Sequence, residues 1–216
     1  MKDAPARLIA EFLGVFFLCL FGIGAITNGS DLTGIALAHG FAIFIAICAF
    51  AHVSGAHFNP AVTVALAATR RIAPVDAIAY IVAQLLGGVA AAALAKSAFG
   101  GFKGVPALGS GVSTGTGILV ELVATFILMI VIMGVAVDPR GTFPIVAGLP
   151  IGLAIVGDIF WAGPATGAAM NPARWFGPAL VDGSLSTNPI VWIVGPIAGA
   201  LIAVAVYELV MKPARD

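Results

Sequence analysis

The chain has 216 residues, of which 61% are hydrophobic and 9% charged, and its formal net charge is zero. A soluble domain carries about 25% charged residues, so the composition excludes an ordinary soluble enzyme and places the chain among membrane proteins. The zero net charge gives no basis for binding nucleic acid, and the two cysteines, Cys19 and Cys48, lie in apolar runs and read as small packed hydrophobes rather than a disulfide.

Crossing the hydrocarbon takes about 20 apolar residues. The first such run is Leu8–Thr27. It is long enough to span and no small-x-small cleavage site follows it, so it reads as a helix rather than a signal peptide. Gly34–Val53 is the second span. The polar stretch SGAHFNPAVT, Ser54–Thr63, then breaks the pattern, and the apolar run Pro60–Thr69 behind it is too short to cross. Pro74–Ala95, Thr116–Val137 and Phe143–Trp161 are the next three spans. The polar break returns as TGAAMNPARW, Thr166–Trp175, again followed by a short run, Pro172–Val181. Pro189–Met211 is the sixth span. Asn is a strong N-cap and Pro is favoured at the first helical position, so both short runs read as half-helices capped by Asn59 and Asn171.

The second Asn-Pro-Ala lies 112 residues after the first, and Glu121 lies 110 residues after Glu11, each carboxylate in the first span of its half. The chain therefore reads as one domain over residues 1–216, built from halves of about 1–105 and 106–216. Three spans per half give the halves opposite orientation, an inverted repeat. With both termini cytoplasmic, Lys2, Arg7, Arg70, Arg71, Arg140, Lys212 and Arg215 fall inside and only Lys96 and Lys103 outside, which is the positive-inside bias. The fold expected is all-α: six transmembrane helices plus two re-entrant half-helices.

Non-helical backbone at membrane depth is tolerated where it is buried in protein or lines a water-filled cavity. Half-helices entering from opposite faces would meet near the midplane, with their positive N-terminal ends aimed at one spot. There the amides of Asn59 and Asn171 could donate to a passing water, while the two helix ends repel cations and hydronium.

SGAHFNPAVT, GAAMNPAR and Ala10-Glu11-Phe12 resemble the aquaporin, or major intrinsic protein, family over nearly the whole chain. The resemblance implies a homotetramer with one pore per subunit, and pore motifs at Asn59-Pro60-Ala61 and Asn171-Pro172-Ala173. It also implies a second narrowing near the outer mouth, the selectivity filter, carried onto His39, Ile159, Ala168 and Arg174. The physics agrees with the carry-over. A permanently charged Arg174 inside the membrane is costly and therefore a functional candidate, and His39 offers a donor or acceptor opposite it. The set His-Ile-Ala-Arg resembles the tonoplast intrinsic group of plants, which passes water and often ammonia, urea or hydrogen peroxide. Glycerol facilitators typically have Asp after the motif Arg; here Trp175 stands there, which is not the small residue usual in water channels either. The family's mercury-blocked cysteine is absent at Ala168.

Several other residues carry expectations. Glu11 and Glu121 should support the two loops by accepting N–H groups that no regular ladder satisfies. His57 either lines the inner vestibule or packs the loop. Asp158 should brace the outer mouth, with a pairing to His39 as one option; such a pair would ease protonation of the imidazole and lower flux at acidic pH. Trp175 reads as a packing residue facing lipid or a neighbouring subunit.

The expectation is a passive channel in a cell membrane for water and small neutral solutes such as ammonia, excluding protons and ions. No enzymatic activity, catalytic residue, cofactor or metal is expected. The alternatives are a glycerol or urea facilitator of the same fold, a coupled secondary transporter, since broken helices in inverted repeats also build those, and an intramembrane enzyme using His39, His52, His57 and a Glu. The meeting point has two amides and no carboxylate of its own, which argues against coupling. The histidine spacings form no recognisable zinc set.

Overall fold

In the computed structural model, which describes residues 3–141 and 147–212, eight α-helices follow one another with no strand among the described residues. They are α1 (Ala4–Thr27), α2 (Leu32–Ser54), α3 (Pro60–Ala68), α4 (Pro74–Phe99), α5 (Thr114–Ile132), α6 (Gly148–Thr166), α7 (Pro172–Asp182) and α8 (Pro189–Val206). The ends of α5 and α8 widen into π-helical turns, Met133–Val137 and Tyr207–Met211. Six helices are long and apolar enough to cross a membrane, whereas α3 and α7 have 9 and 11 residues.

Local chemistry sets the boundaries. The Asp31 carboxylate accepts from Gly34 N and starts α2 two residues ahead of the expected span. The Ser113 hydroxyl accepts from Thr116 N and does the same for α5. Pro5 near the start of α1 donates no N–H, which costs nothing there, so that helix begins at Ala4 rather than Leu8. Asn59 and Asn171 cap α3 and α7.

The fifth span differs most from expectation. Residues 143–146 of it lie outside the described residues, as do Lys2 and Arg215. Its far end runs past Trp161 through 162–165, read as loop, to Thr166. Pro164 is tolerated because it loses only one bond in the last turn. The helix stops at Gly167, whose φ of +78° turns the chain and whose N–H closes onto Gly163 O.

The helix contacts repeat when α1, α2, α3 and α4 are exchanged for α5, α6, α7 and α8. Helix α1 packs on α2 and α4, and α5 on α6 and α8; α3 packs on α8 and α4, and α7 on α4 and α8. Each half-helix thus lies against the third span of the other half, and α2 meets its own counterpart α6. The α4–α7 crossing needs two facing glycines. A Cβ on Gly177 would lie 2.2 Å from Gly88 C, and one on Gly88 2.6 Å from Ala173 O. Close backbone approach of this kind is how helices associate in lipid.

Large apolar side chains such as Ile9, Phe41, Ile78, Leu86, Leu119 and Leu153 point outward from the spans, as a lipid-facing surface requires. Both described chain ends lie on one side. There Arg7 reaches Asp76 and Tyr80, Arg71 pairs with Glu208, and Arg140 Nη2 donates to Met211 O.

Candidate functional site

Two loops, Ser54–Asn59 and Thr166–Asn171, enter the interior from opposite sides. Each opens on a glycine at positive φ and then holds two non-glycine residues in the left-handed region. These are Ala56 (+53°) and Phe58 (+50°) in one, Ala168 (+43°) and Met170 (+53°) in the other. Such conformers cost energy and persist where their surroundings fix them. Two buried carboxylates do the fixing. Glu11 Oε1 accepts from His57 N (3.0 Å) and the Ser54 hydroxyl (2.7 Å), and Oε2 from Phe58 N (2.7 Å). Glu121 repeats the pattern with Ala169 N (2.9 Å), the Thr166 hydroxyl (2.6 Å) and Met170 N (2.7 Å). In lipid these N–H groups have no water to turn to, so the carboxylates supply the missing acceptors.

The first half adds polar partners absent from the second. Gln84 Nε2 donates to Glu11 Oε2 (2.7 Å) and to the Thr63 oxygen (3.0 Å), and Thr63 donates to Asn59 O (3.0 Å). With its own hydrogen spent, the Thr63 oxygen receives the Nδ1 hydrogen of His57 at 3.2 Å. The His57 ring also meets the Tyr80 ring edge-on at 5.2 Å. His57 therefore packs the loop and borders the lumen at once.

The loops lock where the half-helices meet. Asn59 Oδ1 accepts from Ala61 N in its own helix, while Nδ2 donates across to Met170 O at 2.8 Å. Asn171 Oδ1 accepts from Ala173 N and Arg174 N, while Nδ2 donates to Phe58 O at 2.8 Å. Each amide nitrogen has two hydrogens, so each Asn ties the halves together with one and keeps one for the lumen. Pro60 and Pro172 give up no N–H bond here, and Ala61 and Ala173 are fully buried.

A cavity of about 240 Å³ runs past this point, bordered by both loops. Its polar side chains are His39, His57, Asn59, Asn171 and Arg174; the rest of its wall is apolar or glycine, including Leu18, Ile43, Leu128, Ile132 and Ile155. His39, Ile159, Ala168 and Arg174 all border this cavity and are all buried. His39 Nδ1 lies 2.8 Å from Ile35 O, and a carbonyl only accepts, so Nδ1 carries the hydrogen. Nε2 is then a lone pair and accepts from Arg174 Nη2 at 2.9 Å. The ring fits because α1 has Gly22 beside it; a Cβ there would lie 2.1 Å from Nε2. Arg174 Nε and Nη1, both buried, have no partner among the described residues, so the hydrogens on two guanidinium nitrogens are unclaimed by the protein.

Two expectations need correction. Asp158 does not pair with His39: its Oδ1 accepts from Trp161 Nε1 at 3.1 Å, and both His39 nitrogens are already engaged. Trp175 does not face lipid or a neighbour: it is 3% exposed and stacks on Trp192, with ring centres 5.8 Å apart and planes 9° apart.

Sequence reasoning passed over Ser54, Thr166, Tyr80, Gln84 and Trp192, and it gave Gly22 only a part in close helix packing. The 112-residue offset pairs Ser54 with Thr166 and Tyr80 with Trp192, a signal that was there to be read. Gln84, an amide alone in an apolar span, was a second. Nothing in one sequence marks Gly22 as the space for His39.

The profile of the major intrinsic protein family matches residues 2–207. Among similar proteins, aquaporin NIP1-1 of Zea mays is 41% identical, over 97% of this chain and 77% of its own length. The probable aquaporin TIP3-2 of Arabidopsis thaliana is 40% identical, over 98% and 85%. Aquaporin AqpM of Methanothermobacter thermautotrophicus is 38% identical, over 96% and 98%. The X-ray structure of the aquaglyceroporin from Plasmodium falciparum superposes with a TM-score of 0.88 at 27% identity, covering 96% of this chain and 97% of that one.

Proposed function

The chain belongs to the major intrinsic protein family, and on that premise we propose that it is a passive water channel that also passes small neutral solutes such as ammonia and excludes protons and ions. One observation carries this reading. One cavity passes the crossing point of two asparagine amides, and no carboxylate stands among its lining residues. A permeating water can accept one N–H from Asn59 and one from Asn171. With its oxygen held there, its hydrogens point along the pore, away from both positive helix ends. Those same helix ends, and the Arg174 guanidinium beyond them, oppose cations and hydronium.

The solute preference follows from the outer end. The hydrogens on Arg174 Nε and Nη1 have no protein partner and His39 turns its lone pair to the arginine, so a permeant there must accept hydrogen bonds and fit beside Ile159 and Ala168. Water and ammonia do. Glycerol is the competing permeant, favoured by the likeness to an aquaglyceroporin. We further propose one domain over residues 1–216, both termini cytoplasmic and a homotetramer in a cell membrane. The grouping of Arg7, Arg71, Arg140 and Lys212 on the side of both chain ends supports the orientation.

Stopped-flow light scattering on proteoliposomes tests the function, with His39→Ala and Arg174→Ala beside the unaltered protein. Water flux of low activation energy, an ammonia signal in a pH-dye assay and little glycerol uptake are expected. Removing Arg174 should admit glycerol. Slow water with fast glycerol would overturn the water reading, and flux that depends on a proton or sodium gradient would overturn passive conduction.

A further inference from the structure

We propose that the stacked indoles of Trp175 and Trp192, neither of which lines the lumen, set the width of its outer constriction and so the size of solute that passes. The inference rests on reading that end of the lumen as the selective one.

The stack ties together the elements that carry the constriction. Trp175 directly follows Arg174 in the first turn of α7, about 100° further around the helix, so it points away from the lumen toward α8. Its ring lies flat on Trp192, whose Nε1 donates to Thr166 O at 3.1 Å. Thr166 ends α6, the helix of Ile159, and its hydroxyl accepts from Ala168 N at 3.1 Å. Three of the four residues at the constriction therefore hang from the two rings: Arg174 directly, Ala168 through two hydrogen bonds that meet at Thr166, and Ile159 through the helix that Thr166 ends. Ala168 sits at a φ of +43°, a strained conformation that neighbours must hold.

The chain supplies its own comparison. The residues 112 positions earlier are Thr63 for Trp175, Tyr80 for Trp192 and His57 for Ala169. Tyr80 donates to Ser54 O (2.7 Å) as Trp192 does to Thr166 O. The flat aromatic contact, however, has no counterpart there. In the first half Thr63, Gln84 and His57 form a hydrogen-bonded network instead, with the His57 ring edge-on to Tyr80. At Ala169 no side chain reaches out, and the two indoles share a buried cluster with Ala169, Ala179 and Val191. The outer loop thus depends on ring packing where the inner one depends on polar bonds, and the Trp175 position controls that packing.

Full-length Trp175→Ser, Trp175→Phe and Trp192→Phe, reconstituted in proteoliposomes, test the proposal through the ratio of glycerol to water permeability. Because each ratio is internal to one preparation, a lower active fraction does not move it. Trp175→Ser should raise the ratio at least about tenfold, the low end of what one methylene of room does to discrimination. Trp175→Phe, which keeps a ring to stack, should restore the ratio to within about twofold of the unaltered protein. If the Ser variant is not recovered folded, Trp192→Phe decides. It keeps the stack and loses the bond to Thr166 O, and a rise beyond about twofold supports the proposal while an unmoved ratio overturns it. A Ser variant with an unmoved ratio also overturns it. If the unaltered protein passes no water, the functional reading fails first; if it passes water and no ratio moves, the role of the indoles alone fails.

Discussion

Replacing Glu121 should cost stability in proportion to the loop hydrogens it leaves without an acceptor. The carboxylate receives the Ala169 and Met170 amides and the Thr166 hydroxyl, all buried. In Glu121→Ala the hydroxyl has a second acceptor in reach, Ala162 O at 3.5 Å. The two amides have none, and each buried donor without a partner costs about 1–3 kcal/mol, giving about 2–6 kcal/mol in all. In Glu121→Gln one oxygen survives. Whichever way the new amide turns, one backbone N–H faces an NH2 group, for a loss of about 1–3 kcal/mol. The Gln variant should therefore lie between the unaltered protein and the Ala variant, near half the loss. Glu11→Gln should behave like Glu121→Gln. There Gln84 can turn its Oε1, which has no partner, toward the new amide, and again one backbone N–H goes unmatched. The midpoint of thermal loss of far-UV circular dichroism, in detergent at one scan rate, orders the three variants. If Gln and Ala cost the same, the charge and not the number of acceptors holds the loop. If neither costs anything, the loops are satisfied in some other way.

Three further outcomes are expected. Gly22→Ala places a methyl where the His39 ring now sits, whereas Gly24, with nothing within 4 Å, accepts one freely. Water permeability should fall about tenfold in the first and stay unchanged in the second, since a shift of about 1 Å in such a site costs up to about 10²-fold; equal fluxes would remove His39 from the water path. Asp138 joins the end of α5 to α8 through Arg140 and the Tyr207 hydroxyl, and its hydrogen bonds from Arg140 hold its carboxyl well below the usual range. A carboxyl with a lowered folded pKa stabilises above its unfolded pKa, about 3.9, and loses that contribution as pH falls further. The gap in thermal midpoint between the unaltered protein and Asp138→Asn should then be constant from about pH 8 to 5 and shrink below about pH 4; a gap that closes near neutrality would refute the assignment. Cys19 is buried and Cys48 is exposed away from the lumen. Mercury should label Cys48 without stopping water flux, and a block relieved by Cys48→Ser would contradict that placement.

Much of the fold was legible because lipid makes few patterns viable. Six apolar runs near twenty residues, and two near ten led by Asn-Pro, admit few arrangements when every backbone group must be satisfied internally. The span ends were less legible, for local reasons. Asp31 and Ser113 extend α2 and α5 by capping, and Pro164 sits within the last turn of α6 although proline usually signals a stop. The internal repeat is the most informative signal in the sequence. The 112-residue offset of the motif also pairs Ser54 with Thr166, whose hydroxyls share the Glu11 and Glu121 carboxylates with the loop amides.

The site was legible where chemistry is costly and illegible where it depends on shape. A charged Arg174 in a half-helix at membrane depth announces itself because a charge there is costly in lipid. The tautomer of His39 does not, because it follows from a carbonyl four residues back and a glycine on another helix. Asp158 was misjudged for the same reason. An acid next to Ile159 invited a pairing with the nearest histidine, but residue 161, one turn on, offered the closer donor in Trp161. Trp175 was misjudged because an aromatic after the motif arginine in an apolar helix looks like a lipid-facing residue until its partner is known. That partner, Trp192, stands 112 residues after Tyr80 and makes the same bond to the end of the preceding span. The two halves thus share a backbone plan, two Asn-capped half-helices each held by a carboxylate. They differ in what fills the space behind it, hydrogen bonds around His57 in one and stacked rings in the other. A difference of that kind allows one duplicated frame to carry an inner end and an outer end with separate tasks.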